Sequence, residues 1–384
     1  MKLPISAGVL AALCLCGSVV AQSAPQASLL VLSKQDLTLA IVDAGTLKVV
    51  AKAPVGNDPH EVTASADGAT AYVSNYGSGS YNTLAVIDLA AGKPLPSIDL
   101  GPLRGPHGLT FVGGKVWFTA EGAKAIGRYD PATRKVDWVM GTGQNRTHMI
   151  HVSADQKTIV TTNVSSGTVS IIAMKPTRNG PGGGPPRGPG GPNGPGPGGP
   201  PPGGQAGPPP NGPRPAGQGQ AGPNPGGPPP MPAIDWNQTV VRVGNGSEGF
   251  DVSPDGKEVW AANANDATIS VIDLAQKKVV DTLSANVPSA NRLKFTPDGK
   301  LVLVSSGANL VVLDAATRQV VKRILVGHNG HGAGGLLVEP SGARAFVSCG
   351  PDNYVAVVDL KTLEVAGTIQ AGGSPDGLAW AVRP

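Results

Sequence analysis

The chain has 384 residues, a formal net charge of +4, 15% charged residues and 4% aromatic residues. No basic tract stands out and aromatic rings are scarce, which argues against nucleic acid as a partner. Residues 179–232 hold 20 of the 55 Gly and 21 of the 38 Pro, and the roughly 309 ordinary residues left after a leader is set aside suffice for one large core.

At the start, Lys2, a mostly apolar run over 9–16 and the small residues Val19-Val20-Ala21 read as a secretory signal over 1–21, with Gln22 as the mature N-terminus. Cys14 and Cys16 each follow Leu, where a lipid-anchored start would place a small residue. The mature chain keeps only Cys349, has no Cys-x-x-Cys-His, and holds no later run apolar enough to span a bilayer. The expectation is an exported monomer without disulfides, periplasmic or extracellular.

Further along, seven apolar runs end in nearly the same letters: AIVDA (40–44), AVIDL (85–89), GRYDP (127–131), SIIAM (170–174), SVIDL (270–274), VVLDA (311–315) and AVVDL (356–360). Six are preceded by a second apolar strand, such as AYVSN (71–75) and VWFTA (116–120). Tight turns stand before most of those, at Asp67-Gly68, Asp255-Gly256, Asp298-Gly299 and Ser341-Gly342. Four strands per unit and a period of about 43 residues predict an all-β, seven-bladed β-propeller of four-stranded antiparallel blades. The orphan strand at 376–383 is expected to complete the blade begun by 28–55, closing the ring and removing a sheet edge. The propeller then spans 22–178 and 233–384. The Gly/Pro-rich 179–232, inserted in blade three, has too few apolar groups to offset its ordering entropy. It is expected to be disordered, at the face opposite the ring of residues described next.

Inner strands of a propeller begin near its axis, so equivalent positions form a ring at one mouth. Counting seven residues back from the turns gives His60, His148, Glu248 and Asn291; local similarity adds His107 and Asp376. Blade six gives Gly334 by the count, with His331 three residues earlier. His60, His107, His148 and Glu248 are the candidate metal ligands, with His331, Asp376 and Glu121 as possible additions. Imidazoles with carboxylates suit a divalent Zn, Mn, Fe or Ni, and such a set can also supply a base near neutral pH; a polar plug holding water is the plain alternative. His151, of opposite strand parity to His148, is expected to face away and pack. Cys349 is expected to be a buried inert thiol, and the recurrent Asp ending each third strand to cap a turn.

The YVSN segment (72–75), the Asp-Gly turns and the V-I-D strands resemble the YVTN-type (YncE-like) seven-bladed propeller repeat family. The resemblance covers the mature chain outside 179–232; blade three departs from it, with Ala173 in place of the strand-ending Asp. It implies the fold and leaves activity open, because propellers host many functions. One implied function is an envelope scaffold binding a small-molecule or protein ligand. A second is a metal-dependent lyase or hydrolase: PHGL (106–109), VWFT (116–119) and IGRYDP (126–131) resemble repeats of streptogramin-lyase-type propellers, which use His and Glu with a divalent metal. A third, a haem or redox role, follows from similarity in fold to haem d1 propellers. The catalytic residues and any cofactor beyond a divalent metal stay open.

Overall fold

The computed structural model describes residues 26–176, 234–328 and 332–383. The expected signal segment 1–21, the Gly/Pro-rich 179–232 and His331 therefore lie outside the described residues. The chain divides into a large unit, Met1–Ala173 with Gln238–Pro384, and a small one, Met174–Asn237. The small unit's described parts are the extended ends of two strands, 174–176 and 234–237.

The described strands form seven four-stranded antiparallel sheets, each ordered from its inner to its outer strand. The inner strands are Pro59–Ala64, Pro106–Val112, Thr147–Val152, Ser247–Val252, Ala290–Phe295, Ala333–Val338 and Pro375–Val382, for blades one to seven. Among the described residues no helix is long and apolar enough to cross a membrane. The ring closes as the sequence implies: Pro375–Val382 pairs antiparallel with Ala27–Ser33, Leu29 facing Trp380 and Ser33 facing Pro375.

Burial follows from position in the blade. The second and third strands lie between neighbouring blades on both faces, so Thr70–Asn75 and Leu301–Ser306 are buried almost throughout. Outer strands face solvent and alternate, as Lys278–Leu283 does. The core is a set of layers between successive blades; in one, Leu310 and Val312 of blade five pack on Ala345, Val347 and Ala356 of blade six. The Asp-Gly turns use left-handed backbone, with φ of 62° at Gly68 and 72° at Gly256. Gln156 takes that conformation in blade three, at φ 58°.

Each third-strand Asp caps its turn as expected. Asp43 Oδ1 accepts the Thr46 N–H at 2.7 Å, and Asp359 Oδ1 accepts those of Lys361 and Thr362 at 2.8 Å. Trp117 and Trp260 are fully buried between blades. Cys349 is buried too, and burial pushes its thiol pKa up to about 11, consistent with an inert thiol.

Candidate functional site

All seven inner strands carry a β-bulge at the same place. In blade one Pro59 pairs with Asn75 and Val62 with Val73, so His60 and Glu61 together oppose Ser74. The same shift recurs at His107-Gly108, His148-Met149, Glu248-Gly249, Asn291-Arg292, Gly334-Gly335 and Asp376-Gly377. A bulge re-aims side chains and bends the strand, and here it aligns the seven counted ring positions. In blades one, two, three, five and six a hydroxyl on the neighbouring second strand sits opposite it. Thr119 Oγ1 accepts the Gly108 N–H at 2.9 Å and donates to the His148 carbonyl of the next blade at 2.7 Å. Ser305 repeats the arrangement, accepting from Arg292 N–H at 2.9 Å and donating to the Gly334 carbonyl at 2.7 Å. Adjacent inner strands approach so closely that a Cβ on Gly108 or Gly377 would collide with the backbone of the neighbouring ring residue.

The ring brings the candidates together along one arc. The His60 and His107 ring centroids are 5.0 Å apart, and those of His107 and His148 are 3.9 Å apart. His148 Nδ1 is 2.5 Å from Glu121 Oε1, and its Nε2 is 3.4 Å from Glu248 Oε1. At the other end His60 Nδ1 lies 3.8 Å from Asp376 Oδ2. Glu121, the first residue of the one-turn segment Glu121–Ala123, is held by its N–H donating to the Gly105 carbonyl at 2.8 Å. His107, Glu121 and His148 are all buried, and they offer ligand atoms within 4.8 Å of one another. His60 and Glu248 flank this trio. Asn291 and Gly334 complete the described ring, with the Asn291 Oδ1 buried and unpartnered.

Several mouth residues escape a count of ring positions. Lys34 Nζ lies 2.8 Å from His60 Nε2 and 3.3 Å from Asp376 Oδ2. Asp58 Oδ1 is 3.0 Å from His60 Nε2. Tyr76 donates its hydroxyl to Glu121 Oε2 at 2.6 Å, and Arg146 spans Glu121 and Glu248 at 3.6 and 3.9 Å. One residue below the ring, Arg292 of blade five forms a buried ion pair with Glu61 of blade one. The sequence carried a signal for this pair: Gly occupies the same position in blades two, four, six and seven, against which two opposite charges stand out. Lys34 and Tyr76, like Glu121, each directly follow a second strand, and Asp58 and Arg146 each stand two residues before a ring position in left-handed backbone, so these residues share registers that a count of ring positions alone does not use.

The electrostatics separate the three imidazoles. Burial, then the charges of His148 and Arg292, holds His107 well below the usual histidine value, so it is neutral. Burial and Lys34 also lower His60. Burial opposes charge on His148, but the pull of Glu121 and Glu248 outweighs it and raises its pKa. Burial likewise opposes charge on Glu248, yet His148 and the nearby arginines bring its pKa down. His107 Nδ1 is a buried nitrogen with no hydrogen-bond partner among the described residues, whereas the buried His148 Nε2 faces only Glu248 Oε1, at 3.4 Å. The carboxylates of Asp58, Glu61, Glu121, Glu248 and Asp376 face the cations Lys34, Arg146 and Arg292. With neutral imidazoles the mouth therefore carries two net negative charges.

His151 does not simply pack: it lines the central channel with Asp251 and Lys294, because the bulge at His148-Met149 resets the alternation on which the parity argument relied. His328 stands apart from the mouth trio, its Nδ1 3.0 Å from the Tyr354 hydroxyl.

The fold and mouth define a closed seven-bladed β-propeller with a histidine- and carboxylate-lined axial opening. Residues 235–341 match the family described as YNCE-like beta-propeller, a stretch that spans parts of blades three to six of the ring. No curated protein matches the chain by sequence. Among solved structures, a functionally unknown protein from Desulfotomaculum acetoxidans DSM 771 is similar, with TM-score 0.65 and 13% identity over 93% of this chain and 99% of that one. Kuenenia stuttgartiensis hydrazine synthase is similar with TM-score 0.59 and 14% identity, over 84% of this chain and 89% of that one. Likeness at these identities concerns the fold alone.

Proposed function

We propose that this chain is an exported propeller of the cell envelope that holds a divalent cation at its axial mouth and presents it to a small-molecule or protein ligand. One observation carries the reading: the buried His107 Nδ1, which has no hydrogen-bond partner among the described residues, stands beside the buried His148 and Glu121. Leaving such an atom unpaired is costly in a plain polar plug. His107, Glu121 and His148 are the ligands, and His60 and Glu248 stand next to them. Two imidazoles and a carboxylate suit Zn, Mn, Fe or Ni, and two net negative charges favour a dication. Export rests on the leader-like first 21 residues.

Metal content and calorimetric Zn²⁺ binding of the untagged mature protein test this. The wild type is expected to bind one equivalent, and His107→Ala/His148→Ala to lose it. Equal uptake by both proteins, or none by either near neutral pH, leaves only a polar plug.

A metal-assisted lyase or hydrolase is the second reading. It is favoured by the meeting of His107 and Glu121, both from the blade that resembles lyase-type repeats, with the next blade's His148. A bound cation would polarise a carbonyl or activate water. Around it, neutral His60 can accept a proton, Tyr76 orients Glu121, and Arg146 and Lys34 face an anionic group. Metal-dependent opening of a cyclic ester, abolished in the same double variant, distinguishes it from binding alone.

A further inference from the structure

The Glu61–Arg292 pair lies across the axis below the ring and forms a floor to the mouth. Beyond it, toward the opposite face, the channel opens into a cavity of about 360 Å³, within the usual size of small-molecule pockets, roughly 300–1,000 Å³. Its wall carries a charged group of each sign, Lys294 and Asp251, in a loose ion pair. Lys294 Nζ is 3.7 Å from Asp251 Oδ1, outside hydrogen-bond range, and has no hydrogen bond among the described residues. Asp251 is held from behind, its Oδ2 accepting the Phe295 N–H at 3.0 Å, which leaves Oδ1 toward the cavity. His151, from the adjacent blade, reaches the same space and makes no hydrogen bond among the described residues.

Around these groups the half-buried Leu109, Met149, Leu337 and Leu378 give the cavity apolar wall. The charges of Glu61, Arg292, Asp251 and Lys294 sum to zero, so a ligand bearing a single charge would leave the cavity unbalanced. A ligand that is neutral overall, but carries both an anionic and a cationic end, matches an ammonium and a carboxylate whose own pairing is loose, at 3.7 Å.

We infer that this cavity is a second binding site, distinct from the mouth, for a small zwitterion of the α-amino-acid type with an aliphatic side chain. The ligand's carboxylate meets the Lys294 ammonium and the His151 ring. Its ammonium meets Asp251 Oδ1, and its side chain lies on the leucines and Met149. Entry is from the face opposite the His ring, since the buried Glu61–Arg292 pair closes the other way.

Calorimetric titration of the full mature chain tests this with L-leucine as probe, against isocaproate, which lacks the ammonium, and isoamylamine, which lacks the carboxylate. L-leucine is expected to bind saturably, and each single-charge analogue at least about tenfold more weakly, in line with loss of one charge-assisted hydrogen bond. Lys294→Met and Asp251→Asn are each expected to weaken L-leucine binding about tenfold or more. His107→Ala/His148→Ala is expected to leave it unchanged, which separates this site from the metal reading. A thermal melt checks folding; Asp251→Asn keeps an oxygen for the Phe295 N–H, and Lys294→Met removes no hydrogen bond. Absence of saturable L-leucine binding, equal binding of isocaproate, or insensitivity to Lys294→Met overturns the proposal and leaves a solvent channel.

Discussion

Replacing Arg292 by Met tests whether the propeller axis is closed by a charge pair. Arg292 and Glu61 are 6% and 8% exposed and come from blades five and one, so they join opposite parts of the ring. Burial works against the charge on Arg292, but Glu61, Asp376 and Glu248 outweigh it and raise its pKa. Met fills much of the same volume without charge, leaving Glu61 buried and unpaired. Breaking a buried pair in this way costs about 3–5 kcal/mol. At about 2 °C per kcal/mol for a large domain, the melting temperature should fall by roughly 6–10 °C. The double variant Glu61→Met/Arg292→Met removes both charges and should recover most of that loss, because apolar replacement of a whole buried pair is often neutral. Thermal melts by circular dichroism, combined as a double-mutant cycle, give the coupling directly. Removing Arg292 also makes the mouth more negative, so divalent cation affinity should rise. A single-variant loss below about 1 kcal/mol, typical of exposed pairs, would show that the pair is solvated and refute the channel floor.

Thr119→Val should leave both the Gly108 N–H and the His148 carbonyl without their hydroxyl partner, costing about 2 kcal/mol or more in a denaturant melt; a neutral result would mean that the inter-blade hydroxyls are dispensable. Ending the chain after Ser374 removes the strand paired with Ala27–Ser33. The loss should exceed the ~5 kcal/mol ceiling of single core truncations, and an unchanged melt would contradict closure by the termini. Zn²⁺ affinity should strengthen as pH rises through and above 6.5, because His107 is already neutral while the raised pKa of His148 keeps a proton competing there. The linked stability has the opposite sign. A raised histidine pKa stabilises the metal-free fold fully below 6.5, and that contribution is lost as pH rises through the folded-state value. Melts of metal-free protein across this window check it; a melting temperature flat in His148→Gln and wild type alike would refute the role given to His148.

Repetition made much of this protein readable from its letters. The recurring V-I-D endings and Asp-Gly turns specify strand, turn and blade number, because local backbone rules act the same way in each unit. Equal spacing to those turns also placed His60, His148 and Glu248 at one level, and the orphan strand at the C-terminus announced ring closure. What the letters did not contain was the bulge. Its shift arises from contact between neighbouring inner strands, and it alone turns His151 into the channel and stacks Glu61 against Arg292. Nor did spacing reveal that Glu121, rather than Glu248, shares the buried trio with His107 and His148. Lys34, Tyr76 and Arg146 reach the mouth only because seven separate units close on one axis. Periodicity within a unit is a property of the chain, whereas the meeting of side chains from different units is decided by how those units pack.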